Sequence, residues 1–132
     1  MLFRSSDGTL WGWGSNPYGN LGTNNITSYS SPVQVGTSSW SSVSAGGGTN
    51  VLFTMAIRSD GTLWGWGRNT NGNLGTNNIT NYSSPVQVGT SSWSSVSAGG
   101  SHTMAIRSDG TLWGWGYNGQ GQLGLKIGRA HV

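Results

Sequence analysis

The sequence predicts an all-β chain assembled from repeated units of short antiparallel strands, and three observations carry that expectation. The stretch from Gly22 to Gly47 recurs from Gly75 to Gly100 with one change, Ser28 becoming Asn81. The phrase RSDGTLWGWG occurs at Arg58–Gly67 and at Arg107–Gly116, with SSDGTLWGWG at Ser5–Gly14, so that Trp11, Trp64 and Trp113 mark a period of about fifty residues. Such a period belongs to repeat architectures, in which each unit buries its apolar surface against its neighbours. Helix formers are rare, and β-branched and aromatic residues are interleaved with turn residues, so the units are strands.

Taken in chain order, a partial unit covers residues 1–14 and contributes a strand near Thr9–Gly14. Complete units are expected over Pro32–Gly67 and Pro85–Gly116. In the second of these the strands read Pro85–Val88, Trp93–Ala98, Thr103–Ser108 and Thr111–Gly116. Asp109-Gly110, like Asp60-Gly61 before it, is the strongest short hairpin signal, because a type I′ turn needs positive φ at both central residues. That turn sets Ile57 opposite Trp64 and Met55 opposite Trp66. It gathers Met55, Ile57, Trp64 and Trp66 on a bulky face and leaves Thr54, Ala56, Gly65 and Gly67 on a bare one. Sheets of that kind stack on copies of themselves around a ring. The expected fold is therefore a partial β-propeller built of four-stranded antiparallel blades.

The pattern stops after Gln122-Leu123-Gly124. Residues 117–124 open a further repeat, and IGRAHV within residues 125–132 reads as a translated sequencing adapter, so 125–132 is expected to be a non-native tail. Met1–Ser6 stands where later copies carry TMAIRS, and the chain reads as a fragment, an incomplete propeller over residues 1–124.

These residues resemble the repeat of the regulator of chromosome condensation family, in its bacterial style. The resemblance rests on AGGSHTMAIRSDGTLWGWGYNGQGQLG at Ala98–Gly124 and NTNGNLG at Asn69–Gly75, and extends over nearly everything up to Gly124. The family is one of seven-bladed propellers, and the resemblance implies a propeller in the parent with its number of blades left open. It also implies a role in binding proteins through loops, since family members include a nucleotide exchange factor and an inhibitor of β-lactamases. No binding residue of those members carries over, because their loops have no counterpart here.

Composition narrows the function classes. The chain has no cysteine, which removes disulfides, thiolate metal sites and a Cys nucleophile and leaves the redox compartment open. No apolar run approaches the ~20 residues of a membrane helix, and no membrane partner is expected. The net charge of +3 comes from Arg4, Arg58, Arg68, Arg107, Lys126 and Arg129 against Asp7, Asp60 and Asp109. Two of those cations lie in the tail and the others are spread thinly, so no basic cluster of the kind that neutralises phosphates forms, and nucleic acid is not an expected partner.

The sequence holds no recognisable catalytic constellation and no cofactor site. All three carboxylates occupy equivalent turns a blade apart, whereas glycosidase-like chemistry needs two at one site. His102 has no carboxylate or second histidine near it in sequence, and its counterpart in the first copy is Phe53, so it reads as a packing residue. The candidate partner-binding residues are Val51, Leu52 and Phe53, in a connection four residues longer than its counterpart, together with Trp40 and Trp93, which open strands. The expectation is a non-enzymatic scaffold that presents loops to a protein partner, self-associates as a fragment, and sits outside or on the surface of a bacterium. Two other readings stay open in the sequence. One is a carbohydrate-binding module of a bacterial or phage exterior using Trp40, Trp93, Tyr29 and Tyr82. The other is an enzyme whose site lies in further blades.

Overall fold

The computed structural model describes residues 2–47 and 52–118, and within them the chain is all-β. Ten strands follow one another: β1 (Leu2–Arg4), β2 (Leu10–Gly14), β3 (Tyr29–Gln34), β4 (Trp40–Gly46), β5 (Phe53–Arg58), β6 (Leu63–Gly67), β7 (Tyr82–Gln87), β8 (Trp93–Ala98), β9 (His102–Arg107) and β10 (Leu112–Gly116). They form three antiparallel sheets, β1-β2-β3, β4-β5-β6-β7 and β10-β9-β8. Successive sheets touch along one side, where β4 meets β1 and β8 and β5 meets β8. This is the radial arrangement of propeller blades, and the described residues form an arc of three.

The blade boundaries differ from those expected. The four-stranded sheet runs from Trp40 to Gln87, not from Pro32 to Gly67, and the YSSPVQ strand closes the first and middle sheets instead of opening the next one. The long connection after β6 folds back and sets Tyr82 opposite Gly67, while the short connection after β7 is the crossover to the next blade. Sequence proximity of Gln34 to Trp40 suggested a hairpin where the chain changes sheets. On this outer strand Pro32 and Pro85 fall at a register irregularity, where a residue without an N–H breaks no ladder bond. The terminal tail and residues 119–124 lie outside the described residues.

The turn differs as well, and it moves every side chain by one position. Gly61 has φ +88° but Asp60 is not among the positive-φ residues, which rules out a type I′ turn. Gly61 N–H donates to the Arg58 carbonyl and Arg58 N–H to the Thr62 carbonyl, at 2.9 Å each, closing a three-residue loop with glycine in the left-handed position. The resulting pairs are Ile57 with Leu63, Ala56 with Trp64, Met55 with Gly65 and Thr54 with Trp66. One face of the blade therefore carries Thr54, Ala56, Trp64 and Trp66. The other carries Phe53, Met55, Ile57 and Leu63.

Two cores follow from that sorting. Trp66 of the tryptophan face packs with Trp40 and Ala56 onto Leu10 and Val35 of the first sheet. The aliphatic face of the middle sheet, with Met55, Ile57 and Leu63, receives Trp115 and Ala105 of the third. Each internal junction is thus a tryptophan face laid on an aliphatic face. The rings of Trp40 and Trp66 meet edge to face at 5.6 Å, and those of Trp93 and Trp115 at 5.7 Å. Gly65 belongs to the aliphatic face, where a methyl group would lie 2.9 Å from Met55 Sδ and 3.3 Å from Leu74, so this glycine leaves room for those side chains.

Candidate functional site

The antiparallel order gives each blade two ends. At one end lie the β5–β6 turn and the short crossover to the next blade, joined by the bond from Trp93 N–H to the Gly61 carbonyl at 2.9 Å. At the other lie the β4–β5 connection and the long β6–β7 connection, joined by the bond from Arg68 N–H to the Leu52 carbonyl at 2.9 Å.

The turn end is occupied by local structure. Thr62 donates to Asp60 Oδ1 through its backbone N–H at 3.0 Å and its hydroxyl at 2.6 Å, and Trp64 Nε1 donates to that hydroxyl at 2.7 Å. The relay repeats at Asp7-Thr9-Trp11 and Asp109-Thr111-Trp113. Above it, the Arg58 guanidinium lies 3.5 Å from the centre of the Trp64 ring and 5.3 Å from that of Trp40, and Arg107 repeats this with Trp113 and Trp93. The hydroxyl and then the backbone N–H of the neighbouring threonine hold each aspartate below the ordinary carboxylate range.

These three are all the acidic side chains in the sequence. A pKa depressed in the folded state contributes stability above the unfolded value, near ~3.9, that is lost as pH falls through the folded value. Thermal denaturation should therefore show a melting temperature that is level at mildly acidic pH and drops below about pH 4. Replacing all three by asparagine should flatten that acid drop. An undiminished drop in the triple variant would show that the turns do not carry the acid response.

The long connections are organised by a buried asparagine. Asn69 accepts from Leu74 N–H at 3.0 Å, and its amide nitrogen donates to the carbonyls of Asn78 and Thr80, both at 3.0 Å, and to Thr76 Oγ1 at 3.1 Å. Asn16 does the same for Leu21, Asn25, Thr27 and Thr23 in the preceding connection. The connection so held drives Leu74 into the interblade core, fully buried. It also brings Gly75, at φ +75°, against the Trp115 indole, where a methyl group would lie 2.7 Å from the ring. Sequence reasoning did not single out Asn16 and Asn69, although the NxxxNLG spacing in both copies was the signal for them.

On this scaffold the loop end carries Tyr18, Leu52, Arg68 and Tyr117. Arg68 Nη1 donates to the Tyr18 hydroxyl at 2.8 Å and the guanidinium lies 4.8 Å from the centre of that ring, which ties the long connections of two successive blades together. Tyr117, at the Arg68 position of the next repeat, is 46% exposed.

The residues singled out from sequence are not brought together. Trp40 and Trp93 are 1% and 3% exposed, and Phe53 is 1% exposed, so none of the three offers a surface to a partner or a sugar. The strand-opening tryptophans are packed because each meets the second WGWG tryptophan of its own blade, and Phe53 is packed because its ring covers Gly46. Leu52 is half-buried at the loop end, and Val51 lies outside the described residues. Tyr29 and Tyr82 are half-buried, their hydroxyls accepting from Asn25 and Asn78 at 2.9 Å. The His102 ring covers the Gly99 backbone as Phe53 covers Gly46. Among the described residues, no group of three His, Cys, Asp or Glu side chains could hold a metal ion.

Comparison with known proteins places this geometry. A family model described as the regulator of chromosome condensation (RCC1) repeat matches residues 7–53 and 60–106, and a second of the same description matches 40–73 and 93–122. The ultraviolet-B receptor UVR8 of Arabidopsis thaliana is 39% identical over 74 residues, 54% of this chain and 16% of the receptor. Yeast RCC1 (Prp20), solved with Kap60 bound to it, matches at a TM-score of 0.83 with 19% identity, over 98% of this chain and 33% of that one. Prp20p of Saccharomyces cerevisiae, in a structure described together with its binding to Gsp1p and histones, gives 0.72 with 24% identity over 96% and 32%. Human WBSCR16 gives 0.77 with 20% identity over 92% and 33%. The chain thus spans about a third of each of these solved chains and a smaller part of the curated relative.

Proposed function

The chain belongs to the regulator of chromosome condensation (RCC1) repeat family, and from that membership we propose that it is a non-enzymatic scaffold whose loop end binds a protein partner. One observation carries the reading. The repeats hold their text over Gly22–Gly47 and Gly75–Gly100, which includes the second half of each long connection, but differ in its first half at the loop end, where Ser15, Arg68 and Tyr117 are equivalent, as are Pro17 and Thr70, and Tyr18 and Asn71. Strand residues are fixed by packing against neighbouring blades. The opening residues of each long connection carry less of that constraint than the strands, and their tyrosines and arginine are the residue types that dominate protein interfaces. The relatives support the direction: yeast RCC1 was solved with Kap60 bound, and Prp20p is described as binding Gsp1p and histones.

A photo-crosslinking residue placed at Arg68 or Tyr117, in cells that naturally express the chain, should give discrete protein adducts, whereas one placed at Ser91 in the crossover should not. Arg68→Ala combined with Tyr117→Ala should weaken capture of the same protein by about tenfold or more. Adducts from Ser91 with none from the loop end would overturn the assignment.

A further inference from the structure

We propose that the groove between the outer strands of the first two sheets is a binding site for a neutral saccharide. Its volume is about 540 Å³, within the roughly 300–1,000 Å³ of small-molecule sites. Asn24, Tyr29, Val33 and Gln34 form one wall, and Ser84 and Pro85 of β7 form the other. The long connection after β2 links the walls, because Asn24 N–H donates to the Ser83 carbonyl at 2.8 Å. The spacing of the groove is therefore set by the chain itself.

The chemistry of the walls selects the ligand. None of the lining residues is charged, so nothing there favours an anion or a cation. The side chains of Asn24, Gln34 and Ser84 make no hydrogen bond to another described residue. The Tyr29 hydroxyl accepts from Asn25 Nδ2 at 2.9 Å and keeps its own proton to donate. Amides and hydroxyls both donate and accept, as sugar hydroxyls require of their partners. The Tyr29 ring, Val33 and Pro85 offer apolar surface to the C–H face of a sugar ring.

Asn24 is the residue that points most clearly to a ligand. It has φ +62°, as does its repeat equivalent Asn77, and every other left-handed position among the described residues is glycine. Glycine adopts that conformation freely, yet an asparagine stands here with an amide that no contact within the chain employs. A peptide added to either outer strand fits less well, because Pro32 and Pro85 interrupt the N–H ladder that strand addition uses.

The test is a titration of the whole chain with maltose, cellobiose and N,N′-diacetylchitobiose, followed by backbone amide shifts. At least one should move Asn24, Tyr29, Gln34 and Ser84 with a dissociation constant on the order of 1 mM, and a sulfated heparin disaccharide should not. Asn24→Gly keeps the left-handed backbone and removes the amide, so it should weaken binding about threefold to tenfold with native near-ultraviolet circular dichroism. Ser84→Ala, on the opposite wall, should weaken it in the same way, and Ser91→Ala in the crossover should leave it unchanged. No shift at the groove with any of the three disaccharides would overturn the proposal. Equal binding of the sulfated disaccharide, or binding indifferent to both groove variants, would overturn it too. Shifts along β3 and β7 with an extended polythreonine peptide and none with the sugars would reassign the groove to a protein ligand.

Discussion

Trp66→Ala should lower the unfolding free energy by about 3–5 kcal/mol, the range of large aromatic truncations in a packed core. Trp66 is 0% exposed, meets Trp40 edge to face, and packs onto Leu10 and Val35 of the preceding sheet. Its Nε1 also donates to the Asn20 carbonyl at 3.0 Å, so the truncation opens a cavity between two blades and removes a bond to the long connection of the preceding blade. Domains of this size are stable by only ~5–15 kcal/mol, and the urea midpoint should fall accordingly. Trp64→Ala should be milder. Trp64 is half-buried, with one face under the Arg58 guanidinium, and its removal leaves less of a void. Equal losses for the two variants would mean that the faces are assigned wrongly.

Asn69→Ala should cost about 2–4 kcal/mol, because it removes one acceptor and a donor shared among several oxygens at a site with 0% exposure. Leu74 N–H and the carbonyls of Asn78 and Thr80 lose their side-chain partner together, and the connection that holds Leu74 in the core loosens. Hydrogen exchange at Leu74 should accelerate more than exchange in β8 and β9. Asn69→Asp should not rescue: it keeps an acceptor for Leu74 but places a carboxylate against two carbonyl oxygens. A loss below about 0.5 kcal/mol for Asn69→Ala would show that the connection is held by something else.

The repeat period, the strand class and three of the four strands in each blade were legible in the sequence, because repetition and turn chemistry are local properties. The grouping into sheets was not. Whether YSSPVQ pairs with the strand before it or after it depends on how the connection from Arg68 to Asn81 folds back, and that depends on Asn69 meeting acceptors up to eleven residues away. The faces were misassigned for a related reason. Asp60-Gly61 fits both a two-residue and a three-residue loop, and the choice between them shifts every pair by one position. The Asp60–Thr62–Trp64 relay accompanies the longer loop, and the DGTLW phrase carried that signal. Trp40 and Trp93 open strands, which made them candidates for partner binding, yet the partner that buries each is a WGWG tryptophan two strands away in the same sheet. The divergence of Ser15, Arg68 and Tyr117 was visible in the text, but their placement at the same end of three successive blades required the blade topology.

That the strands are consumed by packing of tryptophan faces on aliphatic faces, leaving the loop end for recognition, is tested most directly by nuclear Overhauser contacts from the indoles. Trp66 should show contacts to the methyl groups of Leu10 and Val35, and Trp115 to those of Ile57 and Leu63. Contacts from Trp66 to Met55 and Ile57 within its own blade, with none to Leu10 or Val35, would contradict the account.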